Sequence, residues 1–254
     1  WRNAIWWDGA RPETPSLESV WLKESDVVRF VSETEDGAPI TLAAKAGHNG
    51  VSHSHNDIGS FVLHVDGETL LCDPESGLYD LYRRHGHDAN LLANSIGHSV
   101  PKIGSTPQSR GKEWGCHIAS IDVSDDQAKV MMDIGGAYDL ENLDSLQRSV
   151  TLSGSEMTID DQITFDGDGQ VVEEAFVTWQ EPVVDGKTAT ISGNRHDVRM
   201  IIEEPDTEWQ VASFEEESAA NHKAGVLKRL SFSVPAGDSI EARVSISIQP
   251  SQSN

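Results

Sequence analysis

Short apolar or alternating stretches recur along the chain, and helical periodicity is almost absent. They fall at 27–31, 40–44, 60–65, 69–71, 117–123, 129–134, 147–152, 157–165, 171–179, 188–191, 198–202, 209–214, 226–234 and 240–248, each bounded by Gly, Asp, Asn, Ser or Pro. Alternation puts successive side chains on opposite faces of an extended chain, so these stretches predict many strands with tight turns. Fourteen of them are too many for a simple sandwich. The pattern predicts an all-β fold, a large antiparallel two-sheet β-sandwich. No linker or repeat splits the run, so one β domain is expected over 25–254 after a tail at 1–24. Asp66-Gly67 lies between two of the stretches and predicts a two-residue type I′ hairpin. That register sets Val65 opposite Glu68 and Ser60 opposite Asp73.

Composition narrows the partners. The 254 residues carry 19 Lys+Arg against 42 Asp+Glu, a net charge of −23. Such a surface repels phosphate backbones and anionic lipid, and the densest basic stretch, Tyr82-Arg83-Arg84-His85, is too short to reverse that. Nucleic acid is excluded as a partner. No apolar run reaches the roughly 20 residues a membrane-spanning helix needs. The chain opens at Trp1 without an initiator Met, with three of its seven tryptophans in the first seven residues. It is expected to be a piece of something longer, with that segment packing on an absent neighbour. Cys72 and Cys116 are read as buried thiols rather than a bridge.

The chemistry concentrates in one segment. Seven of the ten histidines lie between His48 and His98. His53 and His55 form a His-x-His pair which, on an extended strand, would turn both imidazoles to one side. The usual object of such a pair is a metal ion, although single pairs also occur as surface or hydrogen-bonded structure. Asp73, brought alongside Ser60 by the hairpin, supplies a hard ligand. Extended, Ser60 to His55 would span about 16 Å, so the chain must bend back through Asn56-Asp57-Ile58-Gly59. His98 supplies the third ligand. Two imidazoles and one carboxylate suit Zn2+ and tolerate Mn2+ or iron, with Ca2+ less suited. A cupin arrangement fails, because Gly59 and Ser60 stand where its Glu belongs. His64 reads as structural, and His85 and His87 as solvated.

The run Ser52-His53-Ser54-His55-Asn56-Asp57-Ile58-Gly59-Ser60-Phe61, followed by Val65-Asp66-Gly67-Glu68, Asp73-Pro74 and Asn94-Ser95-Ile96-Gly97-His98, resembles the heparinase II/III-like proteins. Gln147-Arg148-Ser149-Val150 and Met157-Thr158-Ile159-Asp160-Asp161 add a fainter likeness beyond 51–110. The resemblance implies a two-part lyase: an N-terminal α/α toroid, then a β-sandwich of the supersandwich type, which this chain would be. It implies zinc on His55, Asp73 and His98, His53 facing the substrate cleft, and a secreted or periplasmic location. It also implies β-elimination of an acidic, uronic-acid polysaccharide or oligosaccharide, with the N-terminal α/α domain as the partner completing the cleft. In some alginate-type relatives the β domain lends a tyrosine, here Tyr82 or Tyr79, and Arg83 and Arg84 would meet uronate carboxylates. Both tyrosines also fit simple packing. The alternatives are a noncatalytic carbohydrate-binding or scaffold module and an oxygen-using two-His-one-carboxylate metalloenzyme. The −23 charge argues against a highly sulfated polymer and for one bearing carboxylates alone or few sulfates.

Overall fold

The structure, a computed structural model, describes residues 18–124 and 126–251. Within them lie 19 strands, and every paired neighbour is antiparallel. All fourteen stretches expected from alternation are strands. The five others, Val20–Leu22, Gly47–His48, Lys102–Ile103, Gly115–Cys116 and Pro182–Asp185, are two to four residues long, too short to show a period. The tail expected at 1–24 falls largely outside the described residues, as does the Trp1–Trp7 segment. Its last part does not stand apart, since Val20–Leu22 pairs with Val27–Glu33 at the edge of a sheet.

Three main sheets share one core. The eight-stranded sheet runs Pro182–Asp185, Thr188–Ser192, His196–Glu204, Ser239–Pro250, Glu156–Phe165, Leu143–Ser153, Ala128–Asp133, Ile118–Val123. A five-stranded sheet is built from Val20–Leu22, Val27–Glu33, Pro39–Lys45, Phe61–Val65 and Glu68–Leu71. A four-stranded sheet has Leu227–Val234 and Val172–Thr178 at its centre. The smaller sheets are linked where the Cys72 N–H donates to the Val177 carbonyl at 3.0 Å. Inward positions follow the pleat: Leu146, Val150 and Leu152 on one strand face the core with Met157, Ile159 and Ile163 of its neighbour. Each such side chain contributes about 1.5–3 kcal/mol by leaving water. Phe176, Trp209 and Phe232 add edge-to-face contacts at centroid distances of 5.5 and 5.1 Å.

Two departures from the sequence expectation bear on the site. The hairpin forms as expected, with φ of 50° at Asp66 and 84° at Gly67 and Val65 opposite Glu68. A bulge between Leu63 and His64 then shifts the register by one, so Leu63 faces Leu71. Ser60 is therefore not opposite Asp73. The extra residue tightens the local twist and re-aims the end of the strand. The stretch carrying Tyr82, Arg83 and Arg84 is not a loop but an α-helix, α1, over Tyr79–His85. Asp80 in its first turn and Arg83, Arg84 and His85 in its last complement the helix dipole, and Gly86 ends it.

Candidate metal centre

His55, Asp57, Asp73 and His98 converge, with one ligand atom from each lying within 4.8 Å of every other. The residues come from three loops at the ends of strands. His53 sits in a turn with φ of 63°, so 53–55 is not extended and the two imidazoles do not share a strand face. His55 turns inward to half-burial, while His53 is exposed and lies outside the cluster. The bend follows at the expected place. The Ser60 N–H closes a turn onto the Asp57 carbonyl at 3.0 Å.

His98 arrives by a different device. The Asn94 side chain caps the short 3-10 turn Ser95–Gly97 by accepting from the Ile96 N–H at 2.9 Å. Gly97 is required there, since a Cβ would lie 2.3 Å from the Leu91 carbonyl oxygen. His98 follows in extended conformation, fully buried.

Neither ring nitrogen of His98 has a hydrogen-bond partner. Asp73 Oδ2 stands 3.4 Å from Nδ1, near enough for charge to act without an aligned bond. A buried polar atom left unpaired costs about 1–3 kcal/mol, so an imidazole with two such atoms is built to be satisfied by something else. The His55 ring lies 5.1 Å from that of His98. Burial, then the neighbouring His98, pushes the His55 pKa down to about 4, which keeps the imidazole neutral at ordinary pH. Burial alone would raise the Asp73 carboxyl, but the His98 ring, the Glu75 amide and His55 outweigh it and hold the pKa at about 2. A neutral His55, an ionised Asp73 and the unpaired ring of His98 form a ligand set suited to a cation.

The donor chemistry fits zinc. Zinc takes nitrogen and oxygen ligands at about 2.0–2.2 Å, so ligand atoms around one ion stand roughly 3.3–3.6 Å apart, a modest contraction of the cluster. Calcium, which prefers an all-oxygen shell, fits less well. Asp57, which sequence reasoning missed as a member, is buried and ion-paired to Lys45. Its signal was present in the His-x-Asp spacing from His55.

His87 corrects another expectation, for it is not solvated. Its side chain is 13% exposed, Nε2 donates to the Ser54 carbonyl at 2.7 Å, and Nδ1 meets Asp88 at 2.9 Å. Its ring lies 6.4 Å from that of His55 and 5.7 Å from that of Tyr82. Tyr82 is half-buried, its hydroxyl accepts from the Gly77 N–H at 2.6 Å, and burial raises its pKa. Tyr79 is 65% exposed. Arg83 and Arg84 point to solvent from the last turn of α1; Arg84 has only a loose 3.9 Å pairing with Asp80. His85 is exposed and His64 bonds Thr69 at 2.9 Å, as expected. Both cysteines are free, and burial pushes each thiol up to about 12.

Beneath the loops lies a second buried polar cluster. Arg148 and Asp161 stand opposite one another on paired strands, both facing inward and fully buried. Arg148 Nε and Nη2 donate to Asp161, and Nη2 also donates to Glu174 at 3.0 Å. Nη1 donates to the carbonyls of Gly59 at 3.1 Å and Ser99 at 2.8 Å. One guanidinium thus holds a residue next to the loops that carry His55 and His98. From the other side, Arg229 Nη1 donates to the Ile96 carbonyl at 2.7 Å while its fork binds Glu173.

The profile of heparinase II/III-like C-terminal domains matches residues 14–247. No curated relative matches. Among solved structures, the heparan sulfate lyase HepC from Pedobacter heparinus superposes with a TM-score of 0.76 at 15% identity, over 97% of this chain and 39% of that one. A heparinase III with methylated lysines gives 0.73 at 17% identity, over 97% and 38%. Galactose 1-epimerase from Lactobacillus acidophilus gives 0.53 at 9% identity, over 93% and 100%. At such identities the likeness shows the fold alone, and a sandwich shared with an epimerase does not by itself dictate chemistry. The chain spans about two-fifths of the length of the lyases it matches. With the profile covering nearly its whole length, this chain belongs to the heparinase II/III-like family, as a C-terminal domain.

Proposed function

We propose that this chain is the metal-binding part of a polysaccharide lyase that cleaves a uronic-acid polymer by β-elimination, with Zn2+ held by His55, Asp73 and His98. The observation that carries the reading is the fully buried His98, both ring nitrogens unpaired, beside an ionised Asp73 and a neutral His55. Bound there, the ion would act as a structural cation, tying together the three loops that carry His55, Asp73 and His98. The remaining chemistry belongs to side chains. In β-elimination a base takes the C5 proton, the electron pair forms C4=C5, and the C4–O4 bond breaks as O4 gains a proton. The uronate carboxylate must be neutralised as charge develops on it.

His53, exposed on its left-handed turn, is the group from this chain offered to that carboxylate or to the C5 proton. Tyr82, kept protonated by burial, is the group from this chain with a proton to give to O4. Arg83 and Arg84 supply positive charge at the rim. An N-terminal α/α domain of the same polypeptide completes the cleft, so the isolated chain is inactive, and the protein works in a secreted or periplasmic setting.

Elemental analysis of the purified full-length protein is expected to give near one equivalent of zinc; less than about a tenth sinks the metal site. His53→Ala in that protein is expected to lower unsaturated-product formation at least about 100-fold with folding intact. Unchanged activity removes His53 from the mechanism and favours a noncatalytic carbohydrate-binding module.

A further inference from the structure

A cavity of about 530 Å3 shares a wall with the loop that carries His55. Asn56, Asp88, Asn94, Arg110, Trp114 and Asp139 supply its polar and aromatic lining. The volume falls in the range of small-molecule sites. The cavity is tied to the metal-bearing loops from three directions. Asn56 follows His55 and donates to Asp88 at 3.2 Å and to the Gln108 carbonyl at 3.3 Å. Asp88 meets His87. Asn94 caps the turn that delivers His98 and donates to the Asp88 carbonyl at 3.0 Å. These bonds hold the inner wall in place without a ligand.

The outer wall is the opposite. Among the described residues the Arg110 guanidinium, the Trp114 indole N–H and the Asp139 carboxylate make no hydrogen bond or ion pair. Arg110 and Asp139 are exposed and Trp114 is half-buried. A preformed wall facing a set of unspent donors, an unspent acceptor and an indole is the arrangement that grips a sugar ring. The apolar face of a pyranose covers an indole, and its hydroxyls bridge carboxylate and guanidinium.

Charge then selects among sugars. Two carboxylates, Asp88 and Asp139, stand against one guanidinium, so the lining carries a net negative charge. A sulfated ring would bring more negative charge than Arg110 can offset. We infer that this cavity is a subsite for an unsulfated pyranose residue of the polysaccharide, stacked on Trp114 and hydrogen-bonded by Asp139 and Arg110. The inference rests on the polysaccharide reading above and adds the class of sugar at a defined place.

The test is calorimetric titration of the full-length protein with an unsulfated uronate–N-acetylhexosamine tetrasaccharide and with its fully sulfated counterpart. The unsulfated compound is expected to bind at least tenfold more tightly. Trp114→Ala is expected to weaken it at least tenfold and Trp114→Phe by less than threefold, with circular dichroism unchanged. Should Trp114→Ala misfold, Asp139→Asn, an exposed change, is expected to weaken the unsulfated ligand at least threefold. Equal or tighter binding of the sulfated compound, no binding of either, or affinities that ignore both positions would overturn the subsite. Zinc content and product formation are read on the same preparations. Trp114-dependent binding in a protein without lyase activity removes the enzyme reading and leaves the subsite standing; activity with Trp114-independent binding does the reverse.

Discussion

The molecule buries two polar clusters a short distance apart, and they are built on opposite terms. Around Arg148, the guanidinium nitrogens find Asp161, Glu174 and the Gly59 and Ser99 carbonyls. Around His98, two ring nitrogens find no hydrogen-bond partner. Arg148 and His98 themselves are both out of water, so the difference between them is not one of burial. It is that the first cluster satisfies its donors from the protein, whereas the second leaves both ring nitrogens of His98 without a partner. Glu174 Oε1 is left without a partner in the first cluster, but its cation is fully engaged, whereas in the second the central imidazole has neither nitrogen paired, as a site for a ligand would.

The comparison breaks most sharply at Arg148. Arg148→Met strands Asp161 as an unpaired buried charge and is expected to cost about 3–5 kcal/mol, a large part of a typical domain's stability. Urea denaturation measures it, and a loss below about 1 kcal/mol would mean the network is not what holds the loops. Next comes His98→Ala. In zinc-saturated protein it is expected to lower stability by about 3–4 kcal/mol, the linkage from a ligand at 100 to 1,000 times its dissociation constant, and chelation of the unmutated protein should match that loss. If chelation changes nothing, the gap around His98 is not a metal site.

A smaller effect separates the two carboxylates of the Arg148 network. Burial, then the charge of Asp161, raises the Glu174 carboxyl well above its ordinary value. A group whose folded pKa is raised contributes fully below its unfolded pKa and loses that contribution as pH climbs toward the folded value. Denaturation midpoints should therefore fall with rising pH above the ordinary carboxylate range, and Glu174→Gln, which keeps an acceptor for Arg148, should flatten that fall. An unaltered pH profile in the variant would mean Glu174 is ionised in the fold. The smallest effect belongs to the rim. Arg83→Ala and Arg84→Ala should each move stability by no more than about 0.5 kcal/mol in the same assay, since both side chains point to solvent. A larger loss would place them in a contact the helix does not show.

The sandwich was legible because a strand of five or more residues prints its two faces in the sequence. The two-residue strands Gly47–His48 and Gly115–Cys116 print nothing. At the site, His55, Asp73 and His98 were legible as residue types but not by the route that joined them. The bulge at Leu63 breaks the register that set Asp73 against Ser60, and the positive φ at His53 breaks the extended His-x-His. Both are backbone conformations that side-chain chemistry hardly signals. The helix Tyr79–His85 was hidden by its brevity, and the burial of His87 by partners on a distant loop. The Arg148–Asp161 pair, by contrast, was visible as two charges at inward positions of alternating strands, between Leu146 and Val150 and between Ile159 and Ile163. Only the cross-strand register shows that they meet.

One feature of the large sheet governs how the chain comes to be folded. Ser239–Pro250, late in the sequence, is not an edge strand but lies between His196–Glu204 and Glu156–Phe165. The two halves of the eight-stranded sheet meet only through it. Until that strand has left the ribosome, the four strands from Ile118 to Phe165 and the three from Pro182 to Glu204 remain separate sheets with exposed edges. Closure then requires contacts between residues some 80 positions apart, which makes the final step slow. The loops that carry His55 and His98 lean on Arg148 in this sheet. Their geometry is therefore anchored to the half of the sheet that pairs Leu143–Ser153 with Glu156–Phe165, before the two halves are joined.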